Sequence, residues 1–346
     1  MNKNILPAVL SLLFALPGAA QDIALADSIV RYQMPSGGWA KNQDWLHGCD
    51  QRYMAECFRT GVGSTIDNGA TTSELKTLAK VMRQEGTEEE KYHTAFLHGV
   101  QYLLLMQYEN GGWPQFFPFR SDESYANHIT FNDDAMVRVM RLLWDIAERR
   151  GDVGSVTLPD SLRQSCHLAF WHGVGCILRC QIRDAEGHLT VWCQQHDELT
   201  LLPAPARRYE LASYCGFGET VSILSLLIDI LDSHPDYSHT GISEQQLVNS
   251  IDAAIQWLSL HPIRDMRIEE YTDAEGRPDK RMIPSPGAPL LWARYYDLEH
   301  AQPLYSDRRG LPLKSFNDIE YERRNGYQWV GDTPQRVILR WKKRQE

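Results

Sequence analysis

Apolar positions recur at helical spacing along most of the chain. Residues 73–84 place Leu75, Leu78, Val81 and Met82 on one face, and residues 133–149 place Met136, Met140, Leu143 and Ala147 on another. Both patterns predict amphipathic helices, as do residues 219–231 and 244–259. Two further helical patterns echo each other: Val100, Leu103, Leu104 and then Gln107, followed by Val174, Ile177, Leu178 and then Gln181. The echo is a true period. Gln33-x-x-x-Gly37-Gly38-Trp39 returns 74 residues on as Gln107-x-x-x-Gly111-Gly112-Trp113, and His98-Gly99-Val100 returns at the same shift as His172-Gly173-Val174. No run of alternating strand positions stands out. A helical hairpin cannot bury its apolar face alone, so successive copies must stack. The pattern therefore predicts an all-α (α/α) toroid, an incomplete α/α barrel with helices in two layers, the alternative being a helical solenoid that does not close. Function is expected in the loops of one face, where Gly, Trp and Asn gather.

The first residues change the picture at one end. Lys3 precedes an apolar run from Ile5 to Leu16, and Pro17-Gly18-Ala19-Ala20 supplies small residues before Gln21. This is the form of an export leader cleaved after Ala20, leaving 21–346 as one catalytic domain in a periplasmic or secreted protein. The run is too short to span a bilayer, which takes about 20 residues. Seven cysteines are then free to oxidise, and Cys49 with Cys57 in a polar stretch is the expected pair. Cys176 and Cys180 read as packed thiols. A net charge of −10 argues against nucleic acid or an anionic membrane as partner, so an anionic ligand needs a local basic cleft or a bound cation.

Candidate chemistry gathers in three places. Asp67-Asn68-Gly69 and Asn132-Asp133-Asp134 each stand at a predicted helix start. They are either ordinary N-caps or converging oxygen ligands for a hard cation such as Ca²⁺. Arg207 and Arg208 follow Trp192-Cys193-Gln194-Gln195-His196-Asp197, while Arg294, Arg308, Arg309, Arg323 and Arg324 lie among aromatics near the C-terminus. Guanidinium forks bind carboxylates in a bidentate manner. Phosphate-cradling, G-x-S-x-G and H-E-x-x-H motifs are absent from the sequence.

Several of these motifs together resemble the catalytic domain of polysaccharide lyase family 10 pectate lyases. They are Gly37-Gly38-Trp39, Thr65-Ile66-Asp67-Asn68-Gly69-Ala70-Thr71-Thr72, Gly112-Trp113-Pro114-Gln115, Ile129 to Met136, Trp192 to Asp197, Ala206-Arg207 and Trp292-Ala293-Arg294-Tyr295-Tyr296. The resemblance runs from about residue 30 to residue 330. It implies an (α/α) toroid and Ca²⁺-dependent β-elimination of polygalacturonate. It further implies that Asp67 and Asp133 hold Ca²⁺, that Asn68 contacts the substrate there, that Arg207 and Arg294 grip substrate carboxylates, and that Arg308 is the catalytic base. The Arg308-Arg309 pair departs from the family pattern, in which an acidic residue is expected after that arginine, and Asp134 beside Asp133 leaves two candidates for one ligand. Trp39 and Trp113 either stack on sugar rings or wedge between helices. Two rivals remain at this point: a non-catalytic oligogalacturonide-binding protein, and a triterpene-cyclase-like toroid suggested by Gln107-x-x-x-Gly111-x-Trp113.

Overall fold

The computed structural model describes residues 17–84, 90–119 and 125–346. The apolar run of the expected leader lies outside them, and the expected cleavage point after Ala20 falls within the first helix. Among the described residues the helices are α1 (Pro17–Arg31), α2 (Gln51–Thr60), α3 (Thr72–Met82), α4 (Glu90–Leu105), α5 (Ala135–Ala147), α6 (Gly151–Ser155), α7 (Asp160–Cys180), α8 (Glu219–Asp232), α9 (Glu244–Leu260), α10 (Tyr321–Gly326) and α11 (Pro334–Gln345). Local chemistry sets several of their ends. Asp50 accepts from Tyr53 N to cap α2, Ser243 and Gln246 form a capping box on α9, and Pro334 opens α11.

The longer helices pack in two rows. α3, α5 and α8 lie side by side in one row, and α4, α7 and α9 form a second row behind them. The repeated residues make the same bonds in each copy. Gln33 Nε2 bridges Gly37 O and Ala95 O of α4, Gln107 Nε2 bridges Gly111 O and Ala169 O of α7, and Gln181 Nε2 bridges Thr190 O and Ser250 O of α9. Trp39, Trp113, Trp192 and Trp292 are all fully buried, and each indole donates to a carbonyl near the end of a helix: Ile29, Leu103, Ile177 and Leu258. The two sequence landmarks in fact touch. A Cβ on Gly37 would lie 2.5 Å from His98 O and one on Gly111 would lie 2.1 Å from His172 O, while Gly99 and Gly173 leave room for the rings of Trp39 and Trp113. The wedge is thus the role these tryptophans take.

The all-α expectation is corrected. Ten strands pair into five antiparallel ladders among the described residues. Four ladders have strands of two residues: β1 (Ile129–Thr130) with β2 (Gln195–His196), β3 (Tyr214–Cys215) with β7 (Tyr295–Tyr296), β6 (Trp292–Ala293) with β10 (Val330–Gly331), and β8 (Tyr305–Ser306) with β9 (Pro312–Leu313). The fifth is a hairpin of β4 (Met266–Thr272) and β5 (Pro278–Pro284), seven residues each. It stands over a second apolar cluster, Cys215, Met282, Tyr295, Tyr305, Phe316, Ile319 and Trp329, separate from the inter-helical core. The fold is therefore mixed, because the loops at the helix starts are too buried to leave their backbone groups to water and satisfy them in ladders instead.

The cysteine expectation also changes. All seven cysteines are thiols, and no Cys49–Cys57 bridge forms. Cys57 is buried well inside α2 while Cys49 precedes its cap, so about two helical turns separate them, beyond the reach of about 7 Å that a disulfide allows.

Candidate active site

The helices of the front row are entered from segments stitched to the repeated tryptophans. Trp39 O accepts from Thr65 N (3.0 Å), Trp113 O from Thr130 N (2.9 Å) and Trp192 O from Cys215 N (2.8 Å). This common device brings the entries to α3, α5 and α8 to one end of the molecule, and the turns Asp67–Gly69 and Asn132–Asp134 pack against each other there. Each turn runs through the left-handed region, at Asn68 (φ 53°) and Gly69 (φ 78°) in the first and at Asp133 (φ 50°) and Asp134 (φ 60°) in the second. Arg138 Nη1 of α5 lies 3.1 Å from where a Cβ on Gly69 would be and also acts on Asp134, so the two turns share this guanidinium.

Neither acid is a helix cap. Asp67 is buried; its Oδ2 pairs with Lys41 Nζ and its Oδ1 accepts from Asn68 N at 2.9 Å. Asn68 is exposed and donates to Asn42 Oδ1 at 2.9 Å. Asp133 Oδ2 accepts from Asn132 Nδ2 at 3.1 Å, and its Oδ1 lies 3.6 Å from Arg294 Nη2. Asp134 turns instead to Ser222 of α8 and towards Arg138; burial raises its pKa despite those partners. Asp133 is thus the acid that stands beside Arg294.

Arg294 sits between β6 and β7, its own N–H bound to Trp329 O and its carbonyl to Gly216 N. Its Nη2 donates to Glu219 Oε1 at 2.5 Å, and its guanidinium lies 4.8 Å from the Tyr327 ring centre. Burial raises the Glu219 pKa against the pull of Arg294. Burial also opposes the Arg294 charge, but Glu219, with the rings of Tyr295 and Tyr327 beside the guanidinium, holds it firmly protonated. Arg207 donates from Nε and Nη2 to both oxygens of buried Glu210 (2.7 and 2.6 Å) and is likewise held protonated, Glu210 outweighing burial. A chain of polar groups joins the two arginines: Gln194 Oε1 to Tyr295 hydroxyl (2.6 Å), Tyr295 hydroxyl to Tyr327 hydroxyl (2.5 Å), and Tyr327 hydroxyl to Glu210 (2.9 Å).

The structure thus gathers Asp67, Asn68, Asp133 and Arg294, with Arg207 one network away. Arg308 stands at the margin, in the turn joining β8 to β9. Its Nε and Nη2 both donate to Glu322 (2.9 and 2.6 Å), whose pKa is pulled down to about 2 by Arg323 and Arg308. Arg323 in turn lies over Tyr209, the ring that Arg207 also covers. Sequence reasoning missed Lys41 and Glu219 and gave no role to Glu210 and Tyr327, since none of them carries a local signal beyond its residue type.

The donors fit a hard cation. They are carboxylate and amide oxygens, and Glu219 Oε2 and Asn132 Oδ1 are buried there without a hydrogen-bond partner. Among the described residues the groups of acids and histidine whose ligand atoms lie within 4.8 Å of one another are His128 with Asp197 and Glu198, and Asp184 with Glu186 and His188; neither includes Asp67 or Asp133. The hollow of about 700 Å³ lined by Leu178, Cys180, Leu202 and Tyr214 holds none of the predicted site residues, so the site is not that hollow.

Residues 33–338 match the family model described as pectic acid lyase. The chain belongs to the pectic acid lyase family. Comparison with curated proteins finds no match. Among solved structures, a family 10 polysaccharide lyase from Cellvibrio cellulosa is 30% identical, with 92% of this chain and 91% of that one covered and a TM-score of 0.75. A mutant of the family 10 polysaccharide lyase from the same organism, in complex with trigalacturonic acid, is 29% identical, with 92% of both chains covered and a TM-score of 0.74. The mixed fold agrees with these structures and not with a pure α/α toroid. The pectic acid lyase is a polysaccharide lyase, which removes both the binding-protein and the cyclase readings. Among its described residues no helix is long and apolar enough to cross a membrane.

Proposed function

We propose that this pectic acid lyase cleaves α-1,4-linked polygalacturonate by Ca²⁺-assisted β-elimination, releasing 4,5-unsaturated oligogalacturonides. The observation that carries the reading is the set Asp67, Asp133, Glu219 and Arg294 at one end of the helix rows: carboxylates in excess beside a buried guanidinium. The trigalacturonic acid complex of the relative supports the substrate class. In elimination the C5 proton is removed beside a carboxylate, and the C4 glycosidic oxygen departs. Asp67 and Asp133 would hold the Ca²⁺, which when bound helps neutralise that carboxylate and so acidifies C5. Asn68, exposed at the tip of its turn, contacts the sugar chain. Arg294, its charge held beside Asp133 and Glu219, grips one substrate carboxylate, and Arg207 grips a second one. Residues 1–20 as an export leader and 21–346 as one catalytic unit belong to the same proposal, since pectate is a polymer met outside the cell.

Arg308 takes the base in the reading by resemblance. A second reading gives that role to Arg207, favoured by the Tyr327–Glu210 network that links it to the Arg294 end of the site, whereas Arg308 stands at the margin; each now has its Nε and Nη2 on a glutamate, Glu210 or Glu322, which it must leave to act as a base. Either arginine must reach the neutral state against a usual pKa of about 12.5 or more, which neighbouring cations favour. Arg308→Lys and Arg207→Lys separate the readings: the base variant loses turnover by at least about a thousandfold while retaining trigalacturonate binding. If neither variant loses turnover, arginine base catalysis is wrong.

A further inference from the structure

We propose that Lys41 is a tethered competitor for the cation at Asp67, and thereby sets the affinity of the site. The inference rests on the reading of Asp67 as a cation ligand. Lys41 and Asn42 follow the repeat tryptophan turn and lie alongside the Asp67–Asn68 turn at two successive positions: Lys41 Nζ is on Asp67 Oδ2, and Asn42 Oδ1 accepts from Asn68 Nδ2 at 2.9 Å. The pairing is well placed to persist, because Asp67 is buried and the Lys41 side chain is only 31% exposed, with its ammonium 5.7 Å from the centre of the Phe116 ring. The lysine thus supplies a positive charge to a carboxylate that would otherwise be buried without one, and keeps the turn in shape when no metal is present.

A divalent ion that takes both oxygens of the Asp67 side, or that simply approaches with two positive charges, must expel the ammonium. The net binding energy is then the cation's attraction less that of the lysine it replaces. The chain reaches Asp67 with a flexible four-carbon stem, so the expelled ammonium stays within a side chain's length of the site, able to turn to a substrate carboxylate. Lys41 is a positioning residue in this scheme: it acts on Asp67 and takes no part in proton transfer.

The test is Ca²⁺ titration by calorimetry on the parent, Lys41→Met, Lys41→Arg and Asp67→Asn proteins, each shown folded by circular dichroism. Lys41→Met is expected to bind Ca²⁺ about tenfold more tightly, equivalent to about 1.4 kcal/mol. Lys41→Arg, which keeps the tethered charge, is expected to stay within about threefold of the parent. Affinity in Lys41→Met that is unchanged or weaker, while Asp67→Asn weakens binding, overturns the competition and leaves the ligand reading standing. Unchanged affinity in Asp67→Asn overturns both.

Discussion

His196 gives the site a quantifiable sensitivity to acid. It sits in β2, fully buried, with Nδ1 facing Leu201 O at 2.8 Å and Nε2 accepting from Cys193 N at 3.1 Å. A carbonyl can only accept and an amide can only donate, so the ring is the neutral tautomer protonated at Nδ1. A second proton would set two N–H groups face to face in a dry interior. Burial accordingly lowers the His196 pKa from 6.5 to about 4. The unfolded chain takes up its proton near pH 6.5, while the folded chain resists until about pH 4. The contribution of the neutral ring is therefore fully present above pH 6.5 and is lost progressively as pH falls towards 4. At about 1.4 kcal/mol per pH unit the loss comes to about 3 kcal/mol, a large share of a typical stability of about 5–15 kcal/mol. Urea unfolding of parent and His196→Asn between pH 7.5 and pH 4 measures it. Asn keeps a donor for Leu201 O and loses the acceptor for Cys193, a fixed penalty at every pH. The gap between the two proteins should shrink by about 3 kcal/mol across that range. A gap that stays constant refutes the assignment, since buried Asp134 and Glu219 titrate alike in both proteins. Because β2 pairs with β1 just before the Asn132–Asp134 turn, acid unfolding is expected to take that turn with it.

Three further outcomes follow from the same geometry. Gly111→Ala puts a Cβ 2.1 Å from His172 O in a backbone with φ 87°, and should cost at least about 2 kcal/mol in thermal or urea unfolding; a neutral result would mean the repeat junction is loose. Glu219→Gln leaves Arg294 buried without its nearest counter-charge and should cost about 3 kcal/mol, while the Glu219→Gln/Arg294→Met pair should lose clearly less than the sum of the singles; additivity would show that the two do not interact. Asp133→Ala should raise the Ca²⁺ concentration needed for half-maximal activity by at least about tenfold, and an unchanged titration would remove Asp133 from the cation site.

What the sequence disclosed was what repeats. The four helices expected at 73–84, 133–149, 219–231 and 244–259 form at Thr72–Met82, Ala135–Ala147, Glu219–Asp232 and Glu244–Leu260, because a buried stripe at 3.6-residue spacing leaves its mark on every turn. The period of 74 also marked true contacts, since Gly37 and Gly111 are cradled by the His-Gly landmarks. The ladders of two residues had no legible pattern: both faces of Ile129–Thr130 and Gln195–His196 are buried, so nothing alternates. The β4–β5 hairpin did leave a signal, Ile268 and Met282 among charged neighbours around the Asp273-Ala274-Glu275-Gly276 turn, but helical spacing dominated the reading. At the site, Asp67, Asn68, Asp133 and Arg294 were legible as motifs. Lys41 and Glu219 were not, since a lysine in a loop and an acid in a first helical turn look ordinary until the fold sets them against a partner.

The proposed reaction is elimination that depends on a cation. Elimination leaves a conjugated C4=C5 double bond that hydrolysis does not make, so ultraviolet absorbance during incubation with polygalacturonate reads it directly. We expect a steady rise with added Ca²⁺ that stops on chelation and resumes when Ca²⁺ is restored. Polymer shortening without any rise in absorbance, or a rise that the chelator leaves untouched, would contradict the account.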